Sequence, residues 1–454
     1  MRIRIEKDEL GEVVMPAEVY YGIHTYRAKE NFQISKRPIC RQMIKGLAIV
    51  KKAAAYANYD AGLITKEIRD VIALCCDEIL NGRLHGQFVT DLIQGGAGFG
   101  MNMNANEVIA NRANEMLGHE KGEYYPVHPI DHVNLCQSTN DVIATAGRIA
   151  ALRLSKKLIV EMKKLKDAYM QKAEEFRNAY TIARTHLIES GPISFGTIFD
   201  SLANSIERDT IKLEAATKGL LELPLGGTIT GTGFNANEVY KEKVCTYVAK
   251  FTSEKFYQSS NLVDTTRHID AFVWMSSALK LFAINLNKVA NDFRLMSTII
   301  GNITIPRVQA GSTNYPGRSI PVILEMVNQV VYYIEGNDLT IARSAESGEL
   351  ELNNTLPIVL ACLFESLNFV RRTIATLRSK VVEEIKVNET TINQIQENNM
   401  FVAYITSEVG YHRCLEIVNS CDCASIAEYV VKEGIMTKDH VDEILDIIHN
   451  KSKV

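Results

Sequence analysis

Apolar residues recur along this chain at spacings of three and four over long runs. Met275, Leu279, Phe282, Leu286, Val289, Phe293 and Met296 alternate four and three throughout, the 3.5-residue repeat of a long helix packed in a bundle. Leu158, Met162, Leu165, Tyr169, Ala173 and Phe176 form a second stripe, and Leu202, Ile206, Leu213 and Leu220 a weaker third. Glycine and proline gather between these runs, at Gly95 to Gly100, Gly191-Pro192, Pro224 to Gly233 and Pro306 to Pro321. Long helices punctuated by polar, glycine-rich loops predict an all-α protein whose loops carry the chemistry. No strand–turn–helix alternation marks a parallel α/β sheet. Toward the C-terminus the pattern shifts to short amphipathic pieces of alternating charge. The expected division is a mostly helical N-terminal domain (1–140), a central long-helix bundle (141–390) and a small C-terminal helical domain (391–454).

The chain has 454 residues, room for two or three domains and a large core. Its formal net charge of -4 gives no reason to expect nucleic acid or an anionic membrane as partner. No run approaches a membrane span, and Met1-Arg2-Ile3-Arg4-Ile5-Glu6 lacks the apolar core of a signal peptide. The nine cysteines are scattered, without two Cys-x-x-Cys pairs, so reduced structural thiols in a cytoplasmic enzyme are expected.

Several loops carry candidate chemistry. Gly95-Gly96-Ala97-Gly98-Phe99-Gly100 has the composition of a phosphate loop but no strand ahead of it, which argues against nucleotide binding. Ser138-Thr139-Asn140 puts two hydroxyls and an amide into one turn, suited to a carboxylate or an amine. Taken alone, that turn would more often be a helix cap, with Asn140 or Asp141 accepting from free backbone N–H groups. A lone histidine such as His186, in Arg184-Thr185-His186, is more often structural than catalytic.

Read together, these blocks resemble the aspartase/fumarase superfamily. The most specific is Gly311-Ser312-Thr313-Asn314-Tyr315-Pro316-Gly317-Arg318-Ser319-Ile320-Pro321, flanked by Gln309, Glu325 and Asn328-Gln329-Val330. It is similar to the family's loop Gly-Ser-Ser-x-x-Pro-x-Lys-x-Asn-Pro. Gln94 to Glu107, Cys136 to Asp141, Arg184 to His186, Leu225 to Asn235 and Pro16 to Ala28 follow in the family's order. The glycines of the Leu225 block are expected to serve close packing. Arg27 could lie near the site, at the surface or in an interface.

The resemblance implies a homotetramer with a 20-helix core, each site shared by three subunits, and β-elimination with no metal and no organic cofactor. It implies Ser312 as base on a loop that closes over substrate, with Gly311 and Gly317 as its mobile ends. His186 belongs to the site, and Glu325 stands where the family places its carboxylate partner. Ser138, Thr139, Asn140, Thr185, Thr313 and Arg318 would bind substrate.

Three positions depart from the pattern. Arg318 replaces the carboxylate-binding lysine, Ile320 its asparagine partner, and Phe99 a threonine near the leaving amine. An aromatic face suits a quaternary ammonium, which has no N–H to satisfy. Together the changes resemble ergothionase members of the family, which eliminate trimethylamine from the betaine ergothioneine to give thiourocanate. Tyr315, Asn314 or Glu189 could then contact the ring. The alternative is aspartate ammonia-lyase with an unusual loop, and a further one is a catalytically dead structural relative. Ser407-Glu408-Val409-Gly410-Tyr411-His412 also stands where aspartases carry a proline and paired histidines.

Overall fold

Each apolar stripe falls on one long helix and runs one residue past its end, at Phe176, Leu220 and Met296. The computed structural model describes residues 2–388 and 394–449. The N-terminal part holds hairpin β1 (Ile3–Asp8) and β2 (Gly11–Pro16), then α1 (Ile23–Asn31), α2 (Arg41–Asp60), α3 (Lys66–Leu80) and α4 (Phe99–Met116). The stripe at Leu158 lies on α5 (Thr139–Glu175) and is followed by hairpin β3 (Tyr180–Thr185) and β4 (Ile188–Ser194). The weak stripe at Leu202 lies on α6 (Phe195–Gly219). Next come β5 (Glu222–Leu223), α7 (Glu238–Thr252), β6 (Tyr257–Gln258) and α8 (Leu262–Arg267). The strictest stripe forms α9 (Asp270–Leu295), ahead of β7 (Ile303–Thr304), α10 (Val322–Glu346), α11 (Leu356–Lys380) and β8 (Lys386–Val387). Short helices α12 (Gln394–Val409), α13 (Tyr411–Ser420), α14 (Ile426–Lys432) and α15 (Lys438–His449) complete the described chain. The protein is mainly helical, as predicted, and among the described residues its strands form four two-stranded sheets.

The chain forms two compact units. One comprises 1–160, 209–284 and 330–372, the other 161–208, 285–329 and 373–454. In the first, α2 packs on α3 and α7. It also approaches α5 where Gly46 lies against the backbone of Ala146, so close that a Cβ would sit 2.5 Å from that carbonyl oxygen. Gly147, on the same helix as Ala146, gives similar room to Leu360 of α11 and Phe272 of α9. In the second unit, Phe199 of α6 packs against Tyr169, Phe176 and Phe293. Residues of α12 to α15, among them Phe401, Ile405, Val430 and Ile444, build a core with Ile182 of β3. The expected boundary at 390/391 lies outside the described residues. All nine cysteines are free thiols. Among the described residues no helix is long and apolar enough to cross a membrane.

Candidate active site

In the first unit two helix N-termini converge. The glycine string winds through a tight turn, with Gly96, Ala97 and Gly98 at φ +73°, +54° and +93°, and opens α4 at Phe99. It works as a helix entry, not a phosphate loop. From the first turn of α4, the Asn102 amide donates to Thr139 Oγ1 at 3.3 Å, so the starts of α4 and α5 lie side by side. Aligned peptide dipoles make such a place attractive to a carboxylate. Phe99 is 48% exposed here, with the His24 ring edge-on at 6.0 Å. Gly100 has no room for a side chain, since a Cβ would meet Gln94 Oε1 at 2.9 Å and Ala28 at 3.0 Å.

The Ser138 turn is built as a helix cap. Ser138 Oγ accepts from the Asn140 N–H at 3.3 Å, and Asp141 accepts from the Ser138 N–H at 3.0 Å. This reciprocal pair caps α5. Asp141 is fully buried, and its other oxygen takes the N–H groups of Gly226 and Thr228 at 3.1 Å each. The Asn140 amide donates to the Ile229 carbonyl at 2.7 Å. The glycine-rich Leu225 block is thereby stapled to the Ser-Thr-Asn turn, leaving the hydroxyls of Ser138 and Thr139 half-exposed. Burial raises Asp141 to a pKa of about 6 against those three N–H donors.

Beneath the turn lies buried Lys51, which no sequence motif marked. Its ammonium donates to Asn134 Oδ1 and Gln137 Oε1, both at 2.9 Å, and Asn134 Oδ1 also receives the Asn102 and Asn106 amides. Burial depresses Lys51 to about 7, with Asp141 pulling the other way. Arg27 is occupied by Asp8 in a two-pronged ion pair at 2.7 Å.

In the second unit, Thr185 and His186 occupy the end of the β3–β4 hairpin. Thr185 pairs with Ile188, and the two intervening residues, His186 and Leu187, both have positive φ, +53° and +64°. That is the primed turn two-residue hairpins favour, made here without glycine or asparagine. His186 is exposed, as are Leu187 and Ile188 beside it. Thr185 Oγ1 lies 2.8 Å from Ser190 Oγ. Glu189 is bound at 2.8 Å by both Arg184 and the Gln396 amide.

The catalytic-loop candidates form their own turn in the same unit. Ser312 Oγ accepts the N–H groups of Asn314 and Tyr315, at 3.2 and 3.0 Å. Tyr315-Pro316-Gly317-Arg318 follows as a turn closed by the Arg318 N–H on the Tyr315 carbonyl at 3.2 Å, with Gly317 at φ +89°. Proline second and a positive-φ glycine third define a type II turn. The Arg318 guanidinium lies 5.9 Å from the Tyr315 ring centre, and Thr313 Oγ1 donates to Asn314 Oδ1 at 3.3 Å. Gly311 passes so close to the Arg318 carbonyl that a Cβ would sit 2.5 Å away.

Arg318, Ile320 and Glu325 line a cleft of about 560 Å³. Among the described residues no hydrogen bond or ion pair joins Glu325 to His186. Glu325 instead stands 4.0 Å from Arg294, a cleft residue the sequence reading missed. At the end of an apolar stripe it reads as an ordinary cation in the last turn of a helix.

Residues 11–336 match the lyase family. Aspartate ammonia-lyases from a Bacillus species and from Helicobacter pylori are each 40% identical to this chain over 451 residues. The match spans 98% and 97% of this chain, respectively, and 96% of each relative. The Escherichia coli aspartate ammonia-lyase is 36% identical over 98% of this chain and 95% of its own. Among solved structures, a Brucella melitensis protein described as fumarate lyase:delta crystallin, bound to cobalt, superposes with a TM-score of 0.92. It shares 37% identity, covering 99% of this chain and all of that one. The class II fumarase of Schistosoma mansoni gives 0.93 at 27% identity over 98% of both chains. Fold, loop sequence and end-to-end similarity agree: the chain belongs to the lyase family of the aspartase/fumarase superfamily.

Proposed function

We propose that this carbon–nitrogen lyase eliminates ammonia from L-aspartate to leave fumarate. The observation that carries the reading is the end-to-end match to proteins named aspartate ammonia-lyase. The retained Ser138, Thr139, Asn140, Thr185, His186 and Ser312 support it. Relatives of that name favour aspartate over the ergothioneine expected from Phe99, Arg318 and Ile320.

Ser312 Oγ takes the proton from the carbon beside the substrate's side-chain carboxylate. The electron pair left behind delocalises into that carboxylate, then forms the double bond as the C–N bond breaks and the amine departs. A serine hydroxyl is a weak base in water, and the two N–H groups already aimed at Oγ are what would stabilise its deprotonated form. Arg318 with Thr185 would grip the α-carboxylate, a guanidinium offering two parallel N–H groups where a lysine offers one point charge. The convergent starts of α4 and α5 would hold the other carboxylate. The family resemblance is what speaks for a homotetramer whose sites draw on three copies.

A second reading is kept because specific residues favour it. Phe99 presents an aromatic face at the start of α4, Gly100 leaves no space for a hydroxyl, and Ile320 removes an amide. A betaine such as ergothioneine, with a trimethylammonium leaving group, fits those changes. Incubation of the purified protein with L-aspartate and, separately, with ergothioneine decides between them. Fumarate from aspartate alone supports the first reading. Thiourocanate from ergothioneine alone replaces it with the second, and silence on both calls for other betaines before a structural relative is concluded.

A further inference from the structure

The loop has lost one of the two groups with which the family grips a carboxylate, yet its cleft contains a second guanidinium. We propose that Arg294 is a substrate-binding residue which, with Arg318, holds the α-carboxylate and takes over the part of the donor absent at Ile320. This rests on the reading above, that Arg318 faces a substrate carboxylate.

Four observations carry it. Arg294 lines the same cleft as Arg318, Ile320 and Glu325. Its position is fixed from below: Nη1 donates to Asn328 Oδ1 at 3.1 Å, and the buried Asn328 amide donates to Asn287 and Asn291 of α9 at 2.6 and 3.1 Å. That ladder of amides leaves the guanidinium little freedom to swing away. The Arg294 side chain is nonetheless 42% exposed, so its outer edge faces the cleft. Finally, Glu325 stands 4.0 Å from Nη2, beyond hydrogen-bond length. It attracts the guanidinium without using its donors, and a ligand carboxylate reaching hydrogen-bond distance would outcompete it. An anchored guanidinium with one N–H committed to a side chain among the described residues is an unfinished carboxylate site.

The test compares Arg294→Gln and Arg294→Lys with the wild type on L-aspartate and on ergothioneine, both of which carry an α-carboxylate. Titration with succinate, which cannot be eliminated, is added as a direct probe of anion binding. Loss of one charge-assisted contact should raise KM about tenfold or more in Arg294→Gln with kcat much less affected, and weaken succinate to match. Arg294→Lys, which keeps the charge but loses the fork, should fall between, and covers the case in which Arg294→Gln does not fold. Ile320→Asn added to Arg294→Gln should recover part of the KM. Unchanged KM and unchanged succinate affinity in a folded Arg294→Gln overturn the proposal while leaving the elimination reading intact. A wild type that turns over neither substrate, yet binds succinate through Arg294, overturns that reading and keeps the anion site. Neither turnover nor succinate binding sinks both.

Discussion

The Ser138 turn and the Ser312 loop present hydroxyls in opposite ways. Around Ser138 every supporting group is committed. Buried Asp141 holds three backbone N–H groups, and Asn140 clips the glycine-rich block in place. Around Ser312 the contacts are local, two N–H groups from the next three residues and a type II turn, on a largely exposed loop. A rigid seat suits a group that must bind the same carboxylate in every turnover. On the proposed assignment of Ser312 as base, a self-contained loop can move as a unit and bring that hydroxyl, with the two N–H groups on it, over a substrate already seated.

The sharpest way to break the rigid half is Asp141→Ala. It leaves three N–H groups, two of them buried, and the Lys51 ammonium without their anion, and should cost about 3–5 kcal/mol in thermal or urea unfolding. Lys51 makes the same half pH-sensitive. Burial sets its folded pKa near 7, below the ordinary 10.5, so between those values the unfolded chain binds more protons and stability rises with pH. Lys51→Met should flatten the rise in unfolding free energy between pH 7 and 9 by about 1–2 kcal/mol. A slope identical to wild type would show that Lys51 stays charged in the fold.

Two smaller changes sharpen the comparison from the substrate and loop sides. Phe99→Thr should shift the ratio of kcat/KM for L-aspartate over ergothioneine about tenfold toward aspartate. An unmoved ratio would remove the aromatic face from the account. Gly317→Ala meets no neighbour within 4 Å, so its cost is the positive φ alone, about 1 kcal/mol in the turn. The expected reading is a fall in kcat of a few fold with an unchanged melting temperature.

The long helices were legible because a 3.5-residue stripe survives any detail of packing, and Met275 to Phe293 is buried along α9 as its spacing demands. The β3–β4 hairpin was not. Its turn is His186-Leu187, without the glycine or asparagine that usually announces positive φ. The β1–β2 hairpin did carry a signal, with Ile3 and Ile5 alternating with arginine and glutamate ahead of Gly11, too short to weigh against so much helix. The Ser-Thr-Asn turn and the Ser312 loop stood out because their residues are local in sequence. Lys51 and Arg294 did not, since burial and a shared cleft are made by contacts between distant segments. Glu189, expected as a possible ring contact, is held by Arg184 and Gln396 for the same reason.

The division of labour between the two regions is tested most directly by steady-state kinetics of Ser312→Ala beside Thr139→Val, on whichever substrate the wild type consumes. Removing the base should lower kcat about a thousandfold and leave KM nearly unchanged, whereas removing the seat's hydroxyl should chiefly raise KM. A Ser312→Ala enzyme that keeps its kcat would contradict the assignment of the base and, with it, the account of the loop.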